Sequence, residues 1–225
     1  MFFAISVAIL WVTSPARAEP QALLELFVSK NCPACPAAQE NLVELQETDG
    51  PFIPLIWVVD YWDYVDGPDP MALPQSAARQ RVYADNFSAR GPYTPQLVVN
   101  GADHVAGNKK RRVRNLLKEQ QTAIETRPQT IAINTTETGL RVETITEPSG
   151  TLELWILSLA AMERYGLHQP NAVADVRGPY PIGPAIATID YECDNRCIAI
   201  VQGEGCGPVQ AILEFDSDVI KVSAD

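Results

Sequence analysis

Two cysteines separated by two residues, Cys32-Pro33-Ala34-Cys35, constrain this chain more than any other stretch. The apolar run Leu23-Leu24-Glu25-Leu26-Phe27-Val28 precedes them, and a helical pattern beginning near Ala37 follows. Strand, Cys-x-x-Cys, helix is the setting in which this spacing reads as a thiol–disulfide redox pair. The reason is electrostatic. At the mouth of a helix, Cys32 faces unpaired backbone N–H groups and the positive end of the helix dipole. Such a site lowers a thiol pKa from about 8.5 into the range of roughly 3.5 to 7.5. Cys35, one turn along and facing inward, is expected to resolve mixed disulfides. Pro33 suits a first turn, where a missing N–H costs nothing.

With 225 residues the chain holds one domain or two small ones, and a hydrophobic fraction of 46% suffices for a packed core. Its net charge of −11 (17 Lys and Arg against 28 Asp and Glu) argues against nucleic acid or an anionic membrane as the main partner. Phe2 to Val12 is an apolar run of signal-peptide length, too short to span a bilayer comfortably, and Ala16-Arg17-Ala18 offers a small-x-small cleavage site. Residues 1–18 therefore read as an export signal, with a mature chain from Glu19, a periplasmic or secreted destination, and no stable membrane anchor after cleavage. No Lys or Arg precedes the apolar run, which leaves an upstream start open.

An oxidising compartment admits disulfides among the five cysteines. Cys193 and Cys197 look like two strand ends flanking a short turn, so a structural bridge between them is geometrically reasonable. Cys197–Cys206 and Cys193–Cys206 stay open on sequence alone. Three clustered cysteines without a nearby histidine fall short of the four ligands of a structural zinc site, and no metal or other cofactor is expected.

Along the chain, Ala38, Leu42 and Leu45 have helical spacing, and Asp49-Gly50-Pro51 stops that helix. Pro54 to Val59 is a continuous apolar run, as in a strand covered on both faces. A right-handed crossover between these parallel strands brings Asp60-Tyr61-Trp62-Asp63-Tyr64 to the sheet edge that carries the dithiol. A Pro- and Asp-rich loop, a helix over roughly Gln75 to Phe87, and a strand opened by Thr94-Pro95 come next. Asn100-Gly101 is a hairpin signal, and a helix over about Asn108 to Thr122 closes this part.

The order β, Cys-x-x-Cys, α, β, α, Thr-Pro, β, Asn-Gly hairpin, α resembles the thioredoxin fold, and the run from Leu26 to Cys35 is closer to glutaredoxins than to thioredoxins. More narrowly, the chain resembles a bacterial family of secreted thioredoxin-like proteins of unknown function. The matching segments are Glu25-Leu26-Phe27, Cys32 to Pro36, Asp60 to Tyr64, Arg79-Gln80-Arg81 with Tyr83, and Tyr93-Thr94-Pro95-Gln96 with Val98 to Gly101, over about residues 20–125. The resemblance implies an α/β fold class: a thioredoxin-like domain over 19–126 and a smaller antiparallel β-rich domain over 127–225. It also implies a cis-proline at Pro95 packed against the dithiol. Proline has no N–H, so it leaves the neighbouring backbone free for an incoming chain.

In the second half, Thr130 to Thr135, Gly139 to Thr146, Leu152 to Leu157, Ala185 to Tyr191, Ile198 to Gln202 and Pro208 to Phe215 read as six strands of a small sandwich or barrel-like sheet. Ala160 to Gly183 departs from the family pattern.

The candidate site comprises Cys32, Cys35 and Pro95 for exchange, Thr94, Pro33, Tyr61 and Trp62 for substrate, and Asp60 as a proton relay. For Asp60 and Asp63 turn capping stands as the alternative, and for the aromatics packing between domains. Glu25 either tunes the pair from a partly buried position or lies exposed at an edge. His104 and His168 have no metal-ligand spacing, and Lys109 to Arg112 with Arg114 reads as a solvated helix face. The chain has no nucleotide loop and no hydrolase motif. The expected activity is that of an exported thiol–disulfide oxidoreductase whose partners are protein or small-molecule thiols and disulfides. It requires a Cys32 sulfur exposed at the helix tip. The alternative is a non-enzymatic secreted binding module whose Cys32–Cys35 disulfide is structural.

Overall fold

The computed structural model describes residues 21–160, 171–183 and 186–216. The expected export signal and His168 lie outside the described residues. The elements are β1 (Ala22–Val28), α1 (Cys35–Thr48), β2 (Phe52–Val58), a short α2 (Asp63–Asp66), α3 (Pro74–Asn86), β3 (Gln96–Val99), β4 (Asp103–Ala106) and α4 (Lys110–Thr126). Seven strands follow: β5 (Ile131–Thr135), β6 (Gly139–Thr144), β7 (Leu152–Leu159), β8 (Val173–Ile182), β9 (Ala187–Asp190), β10 (Arg196–Gly203) and β11 (Val209–Asp216). The chain is thus a mixed α/β protein, mostly strands among the described residues, in three sheets ordered β2-β1-β3-β4, β11-β10-β7-β8 and β5-β6-β9.

Side-chain alternation stacks these sheets. Leu24, Leu26 and Val28 of β1 turn toward α1 and α4, against Ala38, Leu42, Leu45, Val113 and Leu117. Leu23 and Phe27 turn the other way, into a layer shared with Trp57, Tyr83, Leu157, Ile198 and Ile200. Along β10 the intervening residues Cys197, Ala199 and Val201 face a third layer with Leu140, Val142, Leu154 and Phe215. β1 and β10 are buried on both faces, which explains why neither reads as an alternating strand. Residues before and after position 126 therefore share one apolar layer. Each large side chain in it contributes roughly 1.5–3 kcal/mol by leaving water.

Asn100 and Gly101 both take positive φ (54° and 62°), as a tight β3–β4 hairpin turn demands. A Cβ on Gly101 would come within 2.5 Å of the Gly207 carbonyl oxygen, so glycine is required there by close approach as well. The Asn100 side chain accepts a hydrogen bond from the Leu23 amide (2.8 Å), and its carbonyl accepts one from Val209 N (2.8 Å). This turn pins the first sheet to the second.

Two sequence expectations need correction. The first helix starts at Cys35, two residues before the expected Ala37. And the segment that departs from the family pattern supplies a strand not expected from sequence, β8, where Gly178, Pro179 and Pro181 hide the strand signal. β8 lies at the edge of its sheet, where missing N–H groups need no ladder partner. Pro54 in β2 obeys the same rule, and Asn171 and Ala172 cover that edge through Ile56 N→Asn171 O (3.0 Å) and Asn171 Nδ2→Pro54 O (2.9 Å).

Candidate functional site

Three chain segments meet at the carboxyl end of β1. Cys32 and Cys35 form a disulfide with a Cα–Cα distance of 5.4 Å, Cys35 being the first residue of α1. The Cys35 amide donates to the Cys32 carbonyl (3.1 Å). No side chain caps the first turn, and Pro36 brings no N–H to it. β3 runs antiparallel to β1 with Phe27 opposite Gln96, which sets the Thr94–Pro95 step beside the end of β1. That peptide bond is cis. The third segment follows β2: Trp62 Nε1 donates to Thr94 Oγ1 (2.7 Å), while the Trp62 carbonyl accepts from Asn31 Nδ2 (3.1 Å). One tryptophan therefore ties the residue before Cys32 to the residue before Pro95.

The sequence expectation of an exposed sulfur does not hold. Cys32 is 2% exposed and Cys35 is 1% exposed, both within the cluster of α1, α4 and one face of the first sheet. Trp62 packs against that cluster. Pro33, between the cysteines, is exposed; Thr94 and Tyr61 are half-buried. Tyr61 donates to Gln80 Oε1 (3.1 Å) and Trp62 stacks on Tyr64 (centroids 6.2 Å, 11°), the latter 81% exposed. Asp60 is half-buried just beyond β2, and its charge acts on the Tyr61 phenol, which burial chiefly pushes up. Asp63 serves the loop, its carboxylate accepting from Asp69 N (3.1 Å). A cavity of about 220 Å³ beside the dithiol, walled by Val28, Pro36, Val58 and Met71, is smaller than the usual pocket for a drug-sized ligand.

On the opposite face of β1 lies a cluster that sequence reasoning missed. Glu25 is neither at an edge nor turned toward the cysteines: it is fully buried in a central strand, paired with Arg79 (Nε–Oε2 2.7 Å, Nη2–Oε1 3.0 Å). Arg79 Nη2 also donates to Tyr83 OH (2.9 Å) and Gln202 Oε1 (2.9 Å), Nη1 donates to Cys206 Sγ (3.5 Å), and the Tyr83 hydroxyl donates to Glu25. The guanidinium carbon sits 5.1–5.3 Å from the Trp57, Tyr83 and Trp155 ring centroids. Burial works against the Arg79 charge; the Glu25 carboxylate overrides it and holds the guanidinium charged. Burial also pushes the Tyr83 and Cys206 protons toward higher pKa. Glu153 completes the cluster, accepting from Gln202 Nε2 (2.9 Å) and from the Cys206 amide (2.9 Å). The available signals were an acid inside an apolar strand and Arg79 with Tyr83 four residues on, one helix turn apart.

Cys193 and Cys197 are bridged (Cα–Cα 6.1 Å) and Cys206 is free and buried, which settles the pairing that sequence left open. His104 stacks on Phe87 (4.8 Å) and bonds Tyr93 OH through Nδ1 (2.9 Å). Arg114 pairs with Asp49 (2.8 Å) and Lys110 with Glu44, so part of the basic run is spent within the fold. Among the described residues no group of three or more His, Cys, Asp or Glu could hold a metal, and no helix is long and apolar enough to cross a membrane.

A family model described as protein of unknown function (DUF1223) matches residues 23–169. No curated protein matches the chain. Among solved structures, the chain is similar to protein AGR_C_4864 of Agrobacterium tumefaciens, a structural-genomics target. The identity is 21%, over 87% of this chain and 94% of that one, with a TM-score of 0.66. It is also similar to HBP35 of Porphyromonas gingivalis, at 12% identity over 88% of this chain and 75% of that one, with a TM-score of 0.61. At such identities the likeness shows the fold alone.

Proposed function

Because the chain belongs to the DUF1223 family, whose function is unknown, we propose from its own geometry that it exchanges disulfides through Cys32 and Cys35 on a thioredoxin-like first half. The observation that carries the reading is the convergence at one sheet edge: a Cys-x-x-Cys at an uncapped helix start, with the Thr94–Pro95 step alongside. The sheet order β2-β1-β3-β4, with α1 and α4 on one face and α3 on the other, supports the same assignment. In the reducing direction, the Cys32 thiolate attacks a partner disulfide, forming a mixed disulfide and expelling one partner thiolate. The Cys35 thiolate then attacks the Cys32 sulfur, closing the Cys32–Cys35 bond and releasing the second partner thiolate, a two-electron transfer. Run backwards, the same steps oxidise a partner dithiol. Thr94 borders the docking surface with Pro95 buried behind it, and Pro33, Tyr61 and Trp62 lie around it. Two bridges in one chain favour an oxidising compartment, periplasmic or extracellular.

Because Cys32 is only 2% exposed, exchange requires its cover to open before a partner can reach the sulfur, and the same burial favours a second reading, a structural disulfide in a binding module, which needs no such opening. The reduction potential separates the two. Exchange predicts a potential at or above about −270 mV, in the range of exchange proteins, and insulin reduction that Cys32→Ser abolishes; a structural bond predicts a value below about −300 mV and no turnover.

A further inference from the structure

The covered Cys32–Cys35 bond raises the matter of what admits a partner to it. In the segment following β2, α2 buries none of its residues, while Trp62 packs partly against the cluster that contains the two cysteines and Tyr61 against the layer on the other face of the sheet. Hydrogen bonds tie the stretch to Asn31, Thr94, Lys30 and Gln80. Of these, Gln80 has the most specific geometry. It lies in α3, on the opposite face of the sheet from α1, and is fully buried. Its Oε1 accepts from Tyr61 OH (3.1 Å), and its Nε2 donates both to the Tyr93 carbonyl (2.8 Å) and to Gln96 Oε1 (3.0 Å). One amide thus grips the residue before Trp62, the residue before Thr94 and the residue after Pro95. These contacts bracket the Trp62–Thr94 hydrogen bond from behind. The chain of bonds runs on from Gln96 Nε2 to His104 Nδ1 (3.3 Å), which also meets Tyr93 OH. A buried amide with three satisfied valences cannot lose one cheaply, since each orphaned group would stay out of water.

We propose that Gln80 is a positioning residue for the dithiol: by holding Tyr61 against the Tyr93–Gln96 segment it keeps Trp62 on Thr94, and release of that contact sets the rate at which a thiol reaches Cys32. The inference rests on the exchange reading, yet it is read on the bridge itself. No covalent step is assigned to Gln80, Tyr61 or Trp62. They govern access.

The test measures the rate at which dithiothreitol opens the Cys32–Cys35 disulfide in the folded full chain, together with the potential of the pair and the thermal midpoint. Tyr61→Phe keeps the ring and removes the bond to Gln80; Trp62→Phe removes the bond to Thr94. Loss of one such hydrogen bond favours the released state by about two- to tenfold, so each variant is expected to open two- to tenfold faster at an unchanged potential. Gln80→Leu, which also frees the Tyr93 carbonyl and Gln96 Oε1, should open at least as fast as Tyr61→Phe, and the Tyr61→Phe/Gln80→Leu pair should be no faster than Gln80→Leu alone, because the bond that Tyr61→Phe deletes is already gone. Tyr61→Phe leaves the buried amide in place, so it decides the matter even where Gln80→Leu does not fold. Opening rates indistinguishable from the parent chain in Tyr61→Phe and Trp62→Phe overturn the inference. A potential below about −300 mV overturns the exchange reading instead, and leaves the comparison of rates intact.

Discussion

Replacing Arg79 by methionine gives a severe and informative perturbation. The Arg79 and Glu25 side chains are 1% and 0% exposed, and the two are joined by paired contacts of 2.7 and 3.0 Å. Methionine fills much of the space between Trp57, Tyr83 and Trp155 but leaves Glu25 as an unpaired anion where no water reaches. Breaking a buried pair in this way costs about 3–5 kcal/mol, against the much smaller value of the same pair on a surface. At about 2–4 °C per kcal/mol for a protein of this size, the midpoint should fall by roughly 6–20 °C. The double variant Glu25→Leu/Arg79→Met removes both charges. It still strands Tyr83 OH, which loses both its Arg79 donor and its Glu25 acceptor, and Gln202 Oε1, at about 1–3 kcal/mol each, but the Gln202 loss is common to the single variant, which keeps the buried charge as well. The double variant should therefore be more stable than the single one. Urea unfolding followed by the fluorescence of Trp57 and Trp155 and by circular dichroism measures all three chains at matched m-values. A single variant that loses less than about 1 kcal/mol, or a double variant as unstable as the single, would refute the argument that Glu25 depends on Arg79 for its burial.

Two further outcomes follow from the burial pattern. Cys206, 2% exposed with its thiol pushed up by burial, should resist iodoacetamide at pH 8 in the native chain and react fully once urea unfolds it; rapid native labelling would contradict its place in the cluster. A chain cut after residue 126 should aggregate, because Leu23, Phe27, Leu55 and Trp57 lose the β7 and β10 residues that cover them, and a monodisperse, soluble fragment by light scattering would disprove the shared layer.

Much of the site was legible because it depends on local rules. A Cys-x-x-Cys between an apolar run and a helix, an Asn-Gly turn, and a proline opening a strand each have a mechanism within a few residues of chain. The crossover rule then carried Trp62 to the dithiol edge. Exposure was not legible, because Cys32 is buried by tertiary packing within a cluster drawn from α1, α4 and the first sheet, with Trp62 packed against it. The same holds for the Glu25 cluster: Arg79, Gln202, Glu153 and Cys206 come from α3, β10, β7 and the turn after β10, and no spacing announces such a meeting. β8 escaped because proline and glycine speak for loops unless the strand is known to lie at an edge.

The double burial of β10 has a consequence for biosynthesis. Ile198 and Ile200 complete one apolar layer while Ala199 and Val201 complete the next, so neither can close before this strand has left the ribosome. Translation proceeds from the amino terminus, and these residues emerge long after β1 and β2, with α2 through β9 made in between. Until then the nascent polypeptide presents an oily flank to every neighbour, and a factor that shields it in transit would act on the interval between the making of β2 and the arrival of β10.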